Sequence, residues 1–164
     1  MAPPIPTANS IYDSHTVITG KTVPNVTVYA RIGSKVLGSS KTGSTGKFTI
    51  KITKQTAGAK ISIVSKDPSG NFSKTLYKSV IDKTPPRQPA VNTITYRTTV
   101  VKGKTEKYST VYIFKGKSYV GKSITDSKGY FKVKIKPQKR GTTLSVYAID
   151  KARNKSKVTY VKVK

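Results

Sequence analysis

Tyr130-Phe131-Lys132-Val133-Lys134-Ile135-Lys136 is the stretch of this chain whose spacing most directly suggests chemistry. Phe131, Val133 and Ile135 alternate with Tyr130, Lys132, Lys134 and Lys136. In an extended strand the second set shares one face, with neighbours about 6.8 Å apart. A row of ammonium groups headed by an aromatic ring is chemistry for holding a polyanion, with lysine acting as a mobile point charge. Lys102, Lys115, Lys117, Lys122, Lys139, Arg140, Lys155 and Lys162 add to the charge, and Tyr112, Tyr147 and Tyr119 add outward rings, with Phe114 on the strand face of Tyr112.

Other side chains point away from catalysis. The one histidine is His15, and the six acids are Asp13, Asp67, Asp82, Glu106, Asp126 and Asp150. General acid–base work needs such groups brought together at tuned pKa values, yet four of the acids fall in turns or a linker. Absent cysteine excludes thiol nucleophiles, thiolate zinc sites and disulfides. Asp67-Pro68-Ser69-Gly70-Asn71 invites a calcium reading, but calcium takes six to eight oxygens and this loop brings one carboxylate. An Asx-type turn accounts for it better. We expect no cofactor and no metal.

The elements that position these residues come as a duplication. Displaced by 83 residues, the second half falls on the first from Pro3/Pro86 to Val80/Val163 without a gap, with roughly a third of the positions identical. A unit this long exceeds the periods of solenoid repeats and suffices for a small domain. We therefore expect two domains, residues 1–83 and 84–164, joined by the proline-rich Asp82–Pro89 segment.

Period-two alternation with β-branched and aromatic residues predicts strands over Thr16–Thr22, Val26–Ile32, Lys35–Ser40, Lys47–Ile52, Lys60–Lys66 and Lys74–Val80, after a short opening strand near Ala8–Ile11. The second half repeats them. About seven strands with frequent turn signals and no helical stripe predict an all-β fold of two tandem β-sandwiches, without a disulfide. Val28, Ala30, Phe48, Ile50, Ile52, Ile61 and Ile63, with Val111, Ile113, Phe131, Val133, Ile135, Leu144 and Val146, mark the inward faces.

Charge separates the copies. The chain carries 32 Lys+Arg against 6 Asp+Glu, a net +26. Residues 1–83 hold 12 basic and 3 acidic side chains (+9), and residues 84–164 hold 20 and 3 (+17). Lysines on outer strands deter edge pairing, but ordinary soluble surfaces intersperse both signs. A single-sign field of this size attracts polyanions. Nucleic acid would bind non-specifically; specific readout leans on arginine, and only Arg31, Arg87, Arg97, Arg140 and Arg153 are present.

The order of Gly20-Lys21-Thr22, Val26-Thr27-Val28-Tyr29, Gly33 to Gly38, Ser44-Thr45-Gly46-Lys47-Phe48 and Asp67–Asn71 resembles the bacterial immunoglobulin-like (Big-type) domains of secreted and surface proteins. The second copy repeats it with Gly103-Lys104-Thr105, Asp126 to Phe131 and Asp150 to Asn154, except that Arg153 replaces the usual glycine. The resemblance implies an extracytoplasmic, non-catalytic module strung behind an enzyme or adhesin. A disulfide-free secreted protein fits a Gram-positive bacterium, where teichoic acids are the abundant polyanion.

The expected partner is thus an anionic wall polymer or glycan. The alternatives are a passive spacer, an adhesin for another glycan or protein, and a nucleic-acid binder. No apolar run is long enough for a membrane span. Met1-Ala2-Pro3-Pro4 lacks signal-peptide character, and Val161–Lys164 still reads as strand, so we expect a monomeric piece of a longer chain.

Overall fold

The computed structural model describes residues 1–164 and divides into two compact units, Met1–Lys83 and Thr84–Lys164. It is all-β. The first unit contains β1 (Thr7–Ala8), β2 (Val17–Lys21), β3 (Thr27–Ile32), β4 (Lys35–Lys41), β5 (Lys47–Lys51), β6 (Lys60–Lys66) and β7 (Leu76–Ser79). The second contains β8 (Ala90–Val91), β9 (Val100–Lys104), β10 (Thr110–Lys115), β11 (Ser118–Ile124), β12 (Tyr130–Lys134), β13 (Thr143–Ile149) and β14 (Thr159–Lys162).

Each unit pairs a three-stranded sheet with a four-stranded one. The orders are β1-β2-β5 and β4-β3-β6-β7 in the first unit, β8-β9-β12 and β11-β10-β13-β14 in the second. All strand pairs are antiparallel, and registers repeat between units, down to a bulge at Ala30/Arg31 in β3 and at Ile113/Phe114 in β10. The fourth strand of each unit joins the larger sheet. Alternation tells which side of a strand faces inward, not which neighbour it pairs with, so this assignment comes from the structure.

The predicted opening strand is the one element that changes form. It pairs with β2 for two residues, then leaves that sheet, and Tyr12 forms a parallel bridge to Ile81 at the other sheet's edge. In the second unit Tyr96 N–H donates to Lys164 O and Lys164 N–H to Ile94 O, the same crossing. Switching sheets satisfies backbone groups on both edges, at the cost of one continuous strand.

The cores hold every inward residue read from the sequence. Val28, Ala30, Ile50, Ile61 and Ile63 are fully buried, as are Val111, Ile113, Val133, Leu144 and Val146, with Phe48 and Phe131 filling the centres. Buried hydroxyls pin the loops. The Thr42 hydroxyl accepts from Val26 N–H at 3.0 Å and lies 2.9 Å from Val23 O, and Thr125 repeats this with Ser109 and Glu106. Ser73 and Ser156 accept from Ser65 and Ala148 N–H.

The Asp67 turn is an Asx-type structure. Its carboxylate oxygens accept from Asn71 N–H (2.8 Å) and Asn71 Nδ2 (2.9 Å), and Asp150 and Asn154 repeat both bonds. Arg153 adopts φ 69°, where its counterpart Gly70 has φ 91°.

Candidate functional site

The eleven residues singled out from the sequence lie in three places on the second unit. Tyr130, Lys132 and Lys134 face outward from the three-stranded sheet, with Lys136 just beyond β12. Tyr112, Tyr147 and Lys122 occupy the outer face of the four-stranded sheet. Lys115, Lys117, Lys139 and Arg140 lie at the end where β10 finishes and β13 begins, an end defined by the Phe114–Ser145 pair. The two sheet faces look away from each other across the core, so the residues form no single surface.

The β9–β12 ladder shows why the first face is basic. Directly opposed residues in an antiparallel pair project to the same side. Tyr130 opposes Lys104, Lys132 opposes Lys102, and Lys134 opposes Val100. Lys104 is thus a residue that the sequence reading missed, and Lys102, one of the lysines added in the second half, falls beside β12. Both were visible in the sequence as alternate positions of one strand; their placement beside β12 needed the register. The Lys104 ammonium sits 4.8 Å from the Tyr130 ring centroid, a cation–π contact that fixes one charge over the aromatic head of the row.

The backbone beneath is shaped by Gly103. It pairs with Phe131, whose ring folds over it on the core side. A Cβ at Gly103 would fall within 2.7 Å of Phe131 Cε1 and inside contact distance of the Ala90 carbonyl oxygen. The outer face over this glycine is a groove of about 410 Å³, lined chiefly by Ala90, Asn92, Lys102, Lys104, Tyr130 and Lys132. Asp126 stands at its end, where its Oδ1 accepts from Lys128 N–H (2.8 Å) and Tyr130 N–H (2.9 Å). The Tyr130 hydrogen bond, followed by those of Lys128 and Gly129, holds the Asp126 carboxyl below the usual carboxylate range.

The first unit has the same groove with different chemistry, lined by Thr7, Asn9, Thr19, Lys21, Lys47 and Thr49. Its middle row is Thr19 opposite Thr49 where the second unit has Lys102 opposite Lys132. One row along, Lys21 opposes Lys47 where Lys104 opposes Tyr130.

The second face is aromatic. Tyr112 and Tyr147 oppose each other across β10–β13 with ring centroids 5.5 Å apart, and Phe114 stacks on Tyr147 at 5.9 Å. Tyr119 meets Phe114 edge-on at 5.7 Å. The Lys155 ammonium lies 3.8 Å from the Tyr147 ring centroid, and Lys122 is 5.9 Å from that of Tyr112. Elsewhere Arg140 lies against Tyr96, its Cζ 4.3 Å from the ring centroid.

Neither face gathers a nucleophile with a base. One presents fixed charge and the other stacked rings with cations. No helix long and apolar enough to cross a membrane is present.

Comparison with known proteins bears on the fold. Residues 2–82 and 85–164 each match the family of bacterial Ig domains. The chain is 33% identical over 157 residues to the cell wall-associated protease of Bacillus subtilis (strain 168), which covers 94% of this chain and 17% of that protein. The chain thus spans about a sixth of that relative's length. Among solved structures, the I67–I69 I-band fragment of titin superposes with a TM-score of 0.60 at 11% identity, covering 99% of this chain and 65% of that one. A two-domain fibronectin type-III segment from chicken tenascin gives 0.55 at 16% identity, covering 100% and 99%. These two likenesses concern the fold.

Proposed function

This chain belongs to the bacterial Ig domain family, and we propose that it is a non-catalytic attachment module, holding a larger secreted enzyme or adhesin to the anionic polymers of a Gram-positive cell wall. The ligand is of the teichoic acid type, a flexible chain with a phosphate in each repeat. The sequence relative named for its association with the cell wall supports the location.

The observation that carries the reading is the opposition of Lys102 and Lys132. Like charges directly opposite on a sheet destabilise it, and the first unit carries neutral threonines at this row. Lys104 and Lys134 flank the pair on the same face, so three exposed lysines line the groove and Lys134 continues the row beyond it. A phosphate chain laid along that groove removes the repulsion by neutralising it. Binding is multivalent: each lysine contributes one screened contact, and affinity comes from several acting together. The first unit, with Lys21 opposite Lys47, contributes a weaker version and otherwise serves as spacer.

The test is calorimetric titration of the chain with poly(glycerol phosphate) at several salt concentrations. Counterion release makes log K fall linearly with log salt, by roughly 0.7 to 0.9 per phosphate neutralised on nucleic acids. The Lys102→Gln/Lys132→Gln double variant should bind more weakly and lose roughly one to two units of that slope. An unchanged slope would remove this groove from the binding surface.

A further inference from the structure

The two faces of the second unit depart from the first in different ways. On the three-stranded sheet neutral residues become lysines. On the four-stranded sheet three cations give way to apolar residues, with Ile124, Phe114 and Ile149 corresponding to Lys41, Arg31 and Lys66, while Lys122 stands in place of Ser39. On the same face Val36 and Val64 correspond to Tyr119 and Tyr147. These positions are neighbours in space. Ile124 and Ile149 both oppose Thr110, Tyr119 opposes Phe114, and Tyr147 opposes Tyr112. In the more basic half of a +26 chain, gathering rings and apolar side chains on one face is not what a solubility coat requires. Exposed apolar surface of this kind marks a binding site.

The face also has a recess. Phe114, Ser145 and Tyr147, with Lys117, Lys155 and Tyr160, line a shallow, open groove of about 410 Å³, room for one sugar laid on the sheet. Tyr160 is 71% exposed and Ser145 opposes it across β13–β14. Lys117 follows Gly116, whose φ of 56° turns the β10–β11 hairpin. In the first unit Ser34 and Phe72 stand where Lys117 and Lys155 stand here, so both cations of the groove arrived together with the rings.

We infer that this groove is a subsite for a pyranose carrying a carboxylate, separate from the polyanion groove on the opposite sheet. Rings with hydroxyl tips combine an apolar body with a polar handle, which suits the C–H face and the hydroxyl rim of a sugar. The ammonium groups of Lys117 and Lys155 supply the countercharge. A wholly apolar occupant would desolvate those two charges without compensation, and a bare phosphate chain would make no use of the exposed Tyr160 ring. The required ligand therefore joins a ring to an anion in one unit.

The experiment is amide-resolved NMR titration of the full chain with tetragalacturonate, and with maltotetraose as the uncharged control. The charged sugar should shift the amides of Phe114, Ser145, Tyr147 and Tyr160, and maltotetraose should shift the same set about tenfold more weakly. Lys155→Gln and Tyr160→Ser, both exposed edge positions, should each weaken tetragalacturonate binding about tenfold. Lys102→Gln/Lys132→Gln should leave these particular shifts in place, so the result stands whether or not the wall-polymer reading does.

Shifts confined to the three-stranded sheet, or none, would overturn the inference. So would equal binding of both sugars with no effect of Lys155→Gln. Protein-concentration-dependent shifts on this face without ligand, the sign of a second copy docking there, would overturn it too.

Discussion

Adding one methyl group at Gly103 should loosen the second unit and leave the first untouched. The new Cβ would lie within 2.7 Å of Phe131 Cε1 and inside contact distance of the Ala90 carbonyl oxygen. The ring can tilt, but the carbonyl belongs to β8, which is only two residues long. Relief thus comes from pulling β8 off β9 or displacing Phe131, a central core residue that is 2% exposed. Overpacking of this kind costs typically 1–3 kcal/mol. Because one obstacle is backbone, we place Gly103→Ala at about 2 kcal/mol, roughly a 30-fold rise in the open population.

Native-state hydrogen exchange reads the two units separately in one sample. Core amides of β9 and β12 should lose about 2 kcal/mol of protection, while those of β2 and β5 stay unchanged. Gly43→Ala is the control, since a Cβ there meets nothing within 4 Å. A loss below about 0.5 kcal/mol in the second unit, the range of ordinary surface substitutions, would refute the claim that Phe131 and the Ala90 carbonyl require a glycine at this position.

Three further outcomes follow from the same geometry. Arg153→Gly should stabilise the second unit by about 0.5–1 kcal/mol, because relief of a left-handed residue at φ 69° outweighs the added freedom of the unfolded chain; calorimetry should show that unit's Tm rising by a few degrees. The backbone bonds from Tyr130 and Lys128 lower the Asp126 pKa in the folded state. Its stabilisation is therefore present above the unfolded carboxylate's value near ~3.9 and is lost as pH falls through the lower folded value. Asp126→Asn should flatten the acid limb of the second unit's stability curve. Thr125→Val should cost the second unit about 1–3 kcal/mol in urea unfolding, since it leaves the buried Ser109 N–H without its acceptor.

Most of the fold was legible because the chain is built from short strands with one buried side. Phe48, Ile50 and Ile52 alternate with Lys47, Thr49 and Lys51, and a period of two admits one inward set. The turn glycines and the Asp67–Asn71 pattern placed the breaks between strands. Pairing was not legible. Whether β11 joins β10 or β12 depends on loop geometry that alternation does not encode, and the opening strand divides because it serves two sheets. Thr42, Thr125, Ser73 and Ser156 fall outside every strand read from the sequence, yet they are buried; their identity at matching positions of both copies is the signal that could have marked them.

The site was legible by strand and hidden across strands. The outward set on β12 follows from Phe131 and Val133 facing inward. Lys102 and Lys104 joined it only through the β9–β12 register. Likewise Tyr112 and Tyr147 each read as outward, but their contact depends on two strands more than thirty residues apart coming into register. The exchange of Arg31 for Phe114 gained meaning when Phe114 proved to stack on Tyr147.

The central claim is that this module holds its parent protein to the wall through charge. Co-sedimentation of the chain with purified Gram-positive walls, intact and stripped of teichoic acid, across a salt series, tests it most directly. The account predicts binding to intact walls that falls steeply with salt and is largely lost on stripping. Binding that survives both stripping and high salt, or no binding to either preparation, would contradict it.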